Sequence, residues 1–394
     1  MQKNKVLFII LFLLNLFNYI DRQVLYSVFP LLQTDLHLSD GQLGLLASVF
    51  MGVYMCYAPL MGYLADRFKR PRLIAFSALL WSGATLLCGA ARNFTTLLTA
   101  RGLTGVGEGG FTTIAQPFLA EKYPKEKHAS LLAAFGLALP LGSALGYVLG
   151  GWLGQTWGWR LAFMVVSIPG VLVGLLAWFL PDETRVQQKV YPSLSSYGQL
   201  FKNKPFLSIC LAQAMITFMM GGYASWMPTY FVRYLHIDVA HAGTWFGGLV
   251  IVCGALGTFI GGKLAQQWRT EHSNAYYRVM MFSLAATVFP AIYGLSARSL
   301  ASALISFGVV IILLFLPTGA IAAALVETTA APIRSMAFAV NIFIIHLLGD
   351  MLSPFVIGYL SNRWELRTAL LASLVVVLPG VYACYAASKK PSLQ

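Results

Sequence analysis

The chain has 394 residues, of which 58% are hydrophobic and only 10% charged, with a mean hydropathy of +0.71 and a formal net charge of +13. Soluble domains carry about 25% charged residues, and a water-exposed globule of this composition would present far too much apolar surface. These proportions exclude a soluble enzyme and put long apolar runs in a bilayer, where about 20 residues cross the hydrocarbon core.

Twelve runs of that length fit, at 6–32, 41–64, 72–91, 95–120, 129–154, 158–180, 206–234, 242–265, 276–297, 300–326, 336–360 and 366–387. With both termini cytoplasmic, 19 of the 27 Lys and Arg fall on the cytoplasmic side and 6 on the other, while Arg22 and Arg101 lie inside runs. That asymmetry obeys the positive-inside rule. It also accounts for the basic net charge as loop anchoring against anionic lipid, with no nucleic-acid partner implied. The first run is too long for a cleaved signal peptide, contains Asp21 and lacks a small-residue cleavage site.

That first run contains Asn18-Tyr19-Ile20-Asp21-Arg22. Charges at bilayer depth cost at least a few kcal/mol each, so they mark function. Asp21 and Arg22 point about 100° apart and are expected to find partners on other helices. Asn15, Asn18 and Arg22 form a polar face that is expected to line a cavity. A structural ion pair closing the bundle is the alternative.

The second run ends in Gly62-Tyr63-Leu64-Ala65-Asp66-Arg67-Phe68-Lys69-Arg70. This charge-dense turn at the membrane edge suits a gate: Asp66, Arg67 and Arg70 are the gating candidates, with Asp66 facing a neighbouring helix end.

The fourth run reads Arg101-Gly102-Leu103-Thr104-Gly105-Val106-Gly107-Glu108. Arg101, Thr104 and Glu108 share a face, with about 10 Å of rise between the two charges. A desolvated glutamate takes up protons readily, which suits a proton carrier, and a nearby arginine would hold it ionised. A permanently paired structural acid is the alternative.

In the fifth run Gly142, Gly146 and Gly150 recur at four-residue spacing beside Pro140. This serves close helix packing, a deformable helix, or both. A polar break from Pro181 to Pro205 divides the chain into 1–181, a linker 182–205 with a short surface helix around Tyr197–Phe201, and 206–394. The seventh run, with Tyr223, Trp226 and Tyr230, is read mainly as core or interfacial belt.

The halves repeat. Gly262-Lys263-Leu264-Ala265-Gln266-Gln267 follows the eighth run as Gly62-Tyr63-Leu64-Ala65-Asp66-Arg67 follows the second, without the charges, so the charge network of this turn is expected only in the first half. Glu327, next to Pro332 and Arg334, is expected to act as an interfacial latch. In the eleventh run His346 and Asp350 stand one turn apart, as a proton-holding pair or a hydrogen-bonded structural one. The five cysteines lie in apolar runs without CxxC spacing, as packing residues. No HExxH, GxSxG or Walker loop occurs, so neither a metal site, a membrane hydrolase nor an ATP-driven pump is expected.

Asn18-Tyr19-Ile20-Asp21-Arg22, the Gly62–Arg70 turn, Arg101–Glu108, Pro140-Leu141-Gly142-Ser143-Ala144-Leu145-Gly146-Tyr147 and His346-Leu347-Leu348-Gly349-Asp350-Met351-Leu352-Ser353-Pro354 resemble the Spinster branch of the major facilitator superfamily over nearly the whole chain. The resemblance implies an all-α integral membrane fold of twelve helices in two pseudo-symmetric six-helix halves, with the substrate site between them. It implies a secondary transporter working by alternating access, not an enzyme. Animal Spinster proteins carry sphingosine-1-phosphate or lysophospholipids, some with proton coupling, and their helix-1 Asp and helix-4 Arg and Glu match Asp21, Arg101 and Glu108. The expected assignment is therefore Asp21, Glu108, His346 and Asp350 for proton coupling, and Asn18, Arg22, Arg101 and Thr104 for an amphiphilic anionic substrate such as a lysophospholipid or sphingoid phosphate. No cofactor beyond a proton gradient is expected. The chain is expected to be a bacterial inner-membrane monomer among membrane lipids. Carriers of drugs or of small organic or sugar acids are the rival reading, and a channel is disfavoured by the repeat.

Overall fold

In the computed structural model, residues 2–181, 194–272, 274–330 and 333–389 are described, and they contain helices and no strand. Half of the linker expected at 182–205, namely 182–193, and Pro332 lie outside them. Among the described residues, eleven helical stretches are long and apolar enough to cross a membrane. The fourth expected span falls short of that apolarity because Arg101, Glu108, its glycines and its threonines dilute it, yet it forms an unbroken helix of 28 residues, Phe94–Glu121. Large apolar side chains stand exposed, among them Phe179 at 82% and Phe289 at 81%. On a chain this apolar, such a surface belongs against lipid.

The helices begin where the local chemistry starts them. α1 is Gln2–Ser27 and α2 is Phe29–Leu36, so the first run is broken before Pro30, whose fixed φ suits a first helical turn. α3 (Asp40–Ala65) opens with a reciprocal capping box between Ser39 and Gln42. α4 is Arg70–Ala90, with Pro71 in its first turn, and α5 (Phe94–Glu121) is capped by Asn93. The fifth run is split ahead of Pro140 into α6 (His128–Gly136) and α7 (Ala138–Trp157), and α8 is Trp159–Ala177. α9 (Leu194–Lys202) is the short helix expected within the polar break, around Tyr197–Phe201.

α10 (Lys204–Leu235) and α11 (Val239–Glu271) are the longest helices, of 32 and 33 residues. α12 (Ala275–Ser296), α13 (Leu300–Phe315) and α14 (Thr318–Thr328) follow, the last two separated at Pro317. α15 (Arg334–Ile345) runs through a π-helical turn at His346–Asp350 into α16 (Ser353–Ser361). α17 (Leu366–Ser373) and α18 (Val377–Ser388) close the fold.

Two compact units form. The first gathers the described residues of Met1–Arg185 with Ser225–Gly248, so the turn joining α10 and α11 and the adjoining helix ends pack within it; the second gathers those of Val186–Ala224 and Leu249–Gln394. In the first unit α5 packs on α3 and α4, and α1 on α7 and α8. Leu11, Leu14, Trp81, Phe111, Phe118 and Phe135 centre its core. Glycines set the approach distances. A Cβ on Gly107 would lie 2.6 Å from the Trp81 backbone N, and one on Gly109 2.7 Å from the Tyr54 carbonyl, so α5 is pressed against α4 and α3 at once. Gly142, Gly146 and Gly150 likewise meet the α1 backbone, a small-residue ridge that lets two helices touch. In the second unit α12 packs on α13, α14 and α18, around a small core of Ala265, Val279, Leu316 and Ala320.

Phe218, Met219, Tyr223, Trp226, Met227, Tyr230 and Phe231 of α10 are all buried, so they serve as core. The five cysteines are free thiols, three of them buried.

Candidate functional site

The charged residues of α1 and α5 come together inside the first unit. Both Nε and Nη2 of Arg22 donate to Oε2 of Glu108, at 3.3 and 3.0 Å. Glu108 is fully buried, while the Arg22 side chain retains 14% exposure. Three rings surround that guanidinium: Tyr19, Phe50 and Tyr54, with centroids 5.2, 5.0 and 5.4 Å away. Such faces attract a cation and the more so when it is desolvated. The glycine contacts explain their reach, since Gly105 and Gly109 bring α3, and with it Phe50 and Tyr54, flush against α5.

Adjacent to this pair, Arg101 is wholly buried. Its guanidinium lies 4.7 Å from the Phe50 centroid, so one ring touches both arginines. Among the described residues none of the three Arg101 guanidinium nitrogens has a hydrogen-bond partner. An ionised group in that condition is expensive to bury and is retained only for a reason. Asp21, also fully buried, turns away from Arg22 as the helical geometry requires: Thr85 of α4 donates to its Oδ2 at 3.3 Å, and among the described residues Oδ1 has no hydrogen-bond partner. Thr104 donates to the Ala100 carbonyl at 3.0 Å, so its hydroxyl hydrogen is spent within α5.

The polar face of α1 is enclosed by protein. Asn15 donates to the Phe135 carbonyl at 3.3 Å, and Ser27 to the Tyr147 carbonyl at 3.0 Å. Asn18 is fully buried beside Glu108. The expected cavity-lining face is therefore mostly interhelical packing, with Arg22 its partly accessible member.

At the end of α3 the Arg67 guanidinium lies 3.9 Å from the Tyr63 ring, and Arg70 donates to Glu121 at 2.7 Å, tying the start of α4 to the end of α5. Asp66 forms the C-cap of α3. The second half has an ionic counterpart that a position-by-position comparison of the repeats misses. Glu327 accepts from Arg269 at 3.1 Å, because the arginine stands beyond the glutamines that replace Asp66 and Arg67. The network is thus not confined to the first half.

His346 and Asp350 lie in the second unit, with Nδ1 at 2.8 Å from Oδ1 and 3.1 Å from Oδ2. They occupy the π-helical turn, where Gly349 departs from helical angles (φ −101°, ψ −105°). Such turns frequently mark functional positions. A Cβ on Gly221 of α10 would lie 2.6 Å from the Asp350 Cβ, so α10 braces the pair. One turn back, Asn341 donates to Gln213 at 2.8 Å.

The sequence gives no sign of two further clusters. Arg233 of α10 reaches both carboxylate oxygens of Asp40 at the start of α3 and the Gln33 side chain of α2. Arg160 and the Trp159 indole both donate to Asp35. These two hydrogen bonds hold the Asp35 carboxyl below the usual carboxylate range. Asp40 and Arg233 are 193 residues apart, beyond the reach of any local pattern.

Residues 11–344 match the family model described as Major Facilitator Superfamily. The chain is 31% identical over 381 residues to "Protein spinster homolog 1" of Xenopus tropicalis, covering 90% of this chain and 72% of that one. It is 30% identical over 402 residues to "Sphingosine-1-phosphate transporter SPNS2" of the same organism, covering 93% and 78%. Its fold superposes with a TM-score of 0.89, at 21% identity and over 98% and 97% of the two chains, on a crystal structure described as a bacterial homolog to human lysosomal transporter, Spinster, inward-facing and unoccupied.

Proposed function

This chain belongs to the Spinster branch of the major facilitator superfamily, a transporter and not an enzyme, and on that premise we propose that it is a proton-coupled secondary transporter of an amphiphilic anionic lipid, of the lysophospholipid or sphingoid-phosphate kind, working by alternating access. One observation carries the reading: the buried, hydrogen-bond-free guanidinium of Arg101 beside an arginine already neutralised by a carboxylate. A site that keeps an unsatisfied cation is prepared for an anionic headgroup.

The coupling follows from competition for the same cations. Ionised Glu108 holds Arg22; a proton arriving on Glu108 weakens that pair and releases Arg22 to join Arg101 on the headgroup. Proton and anion therefore favour each other's binding, which is the linkage that carries both in one direction. Asp21 stands as a second proton acceptor, and Asn18 and Thr104 as part of the headgroup wall. In the second unit the His346–Asp350 pair is a further proton-holding group. Asp66, Arg67 and Arg70, with Glu327, act at the helix ends as gates. The 19-to-6 distribution of basic residues supports cytoplasmic termini, and we place the transporter, organised as halves 1–181 and 206–394, in a bacterial inner membrane as a monomer.

The test is uptake into proteoliposomes. Glu108→Gln is expected to abolish uptake driven by a pH gradient while leaving substrate counterflow intact; undiminished gradient-driven uptake overturns the coupling role. Arg101→Ala is expected to weaken binding of lysophosphatidylglycerol or a sphingoid phosphate about 10- to 100-fold, the worth of charge-assisted hydrogen bonds, and unchanged affinity overturns the headgroup role.

A further inference from the structure

A groove at the end of the first unit that carries the N-terminus of α1 has the build of a lipid seat, separate from the buried charge cluster. Its volume is about 380 Å³, and Lys5, Phe8, Ile9, Tyr123, Lys127 and Leu131 are among its lining residues. The distribution is two-sided. Phe8, Ile9 and Leu131, from α1 and α6, make an apolar trough, while the exposed Lys5 of α1 and Lys127, the residue before α6, complete its lining.

The frame around the trough is tied together. The Tyr123 hydroxyl donates to the Asn4 carbonyl at 2.7 Å, and the Asn4 amide donates back to the Lys122 carbonyl at 2.8 Å. His128 closes the turn on the Tyr123 carbonyl at 2.9 Å. These bonds bridge the start of α1 to the segment after α5 and fix the spacing between the two lysines' backbones. Among the described residues neither lysine has a carboxylate partner, in contrast to Arg70 one helix away, which is paired to Glu121.

We propose that this groove binds an anionic diacyl phospholipid of the surrounding leaflet, with its phosphate between Lys5 and Lys127 and an acyl chain in the Phe8–Ile9–Leu131 trough. The occupant is argued from charge complementarity and placement. Two ammonium groups at the edge of an apolar slot, at the end of a membrane helix, attract a negative headgroup, whereas a zwitterionic headgroup gains no net attraction from them. The frame couples the lipid to the transporter, because an occupant touches both α1, which carries Asp21 and Arg22, and the start of α6.

Native mass spectrometry of the purified protein with added phosphatidylglycerol or phosphatidylcholine tests this. Retention of phosphatidylglycerol over phosphatidylcholine is expected, and Lys5→Glu/Lys127→Glu is expected to lower phosphatidylglycerol retention tenfold or more. The matched double variant Lys202→Glu/Lys263→Glu, on exposed sites of the second unit, is expected to leave it unchanged. Leu131→Trp, which fills the trough and keeps both lysines, is expected to lower it as well. Equal retention of the two lipids, equal losses in the two double variants, or full retention in Leu131→Trp overturns the assignment. The outcome is independent of the transport reading, since a transporter that binds its substrate normally in the lysine variants still loses this lipid.

Discussion

The pairing of Arg22 with Glu108 makes a quantitative prediction through a double-mutant cycle. Glu108→Gln removes the carboxylate charge and leaves a guanidinium of 14% exposure held by three aromatic faces. Orphaning one member of a buried ion pair costs about 3–5 kcal/mol, and cation–π contact in a desolvated site offsets about 1–2 kcal/mol of it, leaving a net loss of about 1–4 kcal/mol. Arg22→Met orphans Glu108 without any aromatic compensation and is expected to cost more, about 3–5 kcal/mol. In the double variant neither charge remains. Its loss is expected to fall below the sum of the singles by about 2 kcal/mol, well above the few tenths seen between independent sites. The assay is equilibrium unfolding in mixed micelles followed by tryptophan fluorescence. Pairing Glu108→Gln with Arg101→Met serves as the control, and its coupling is expected to be smaller because no hydrogen bond links those two side chains. Additive losses for Arg22 and Glu108, or stronger coupling to Arg101, refute the reasoning.

Other outcomes follow from the same geometry. Arg101→Met on its own is expected to raise stability or leave it unchanged, since it removes a buried cation without hydrogen bonds, while weakening anion binding about 10- to 100-fold; a loss above about 2 kcal/mol would mean that Arg101 serves structure. Gly107→Ala drives a methyl into the α4 backbone at Ser77 and Trp81 and is expected to cost about 1–3 kcal/mol in thermal-unfolding comparisons, as overpacking does. Asp40→Asn leaves Arg233 with a weakened partner; faster amide hydrogen exchange is expected at the C-terminal end of α10 and nowhere in α12 or α13. The Asp35 carboxyl, held below its ordinary range by Arg160 and Trp159, adds stability that is present above that range and lost as pH falls through the lowered value. Wild type and Arg160→Ala are therefore expected to differ in melting temperature at neutral pH and to converge in acid below the ordinary carboxylate range.

How much of this was legible beforehand differs by element. Apolar runs of membrane length announced the helices, and basic residues on their flanks counted them. The breaks within runs came at Pro30, Pro140 and Pro317, where proline favours or ends a helical turn. The span from Phe94 to Glu121 was recognisable by position though not by hydropathy, because the residues that make it chemically interesting also make it less apolar. The π turn at His346–Asp350 had no local signature beyond its glycine and the proline after it.

The one-dimensional chain determined that charged groups would be buried at Asp21, Arg22, Arg101 and Glu108, since their neighbours are too apolar to put them anywhere else. It determined also, through the right angle between adjacent side chains on a helix, that Asp21 and Arg22 would seek different partners. Which partners they took was decided by tertiary packing alone. Arg22 meets a glutamate 86 residues away, Asp21 a threonine 64 residues away, and Arg101 an aromatic ring with no hydrogen-bond acceptor. Periodicity reports which face of a helix is polar. Only the glycine-set approach of α3 and α4 to α5, and of α7 to α1, decides which faces meet, because that distance depends on atoms contributed by two segments of chain at once.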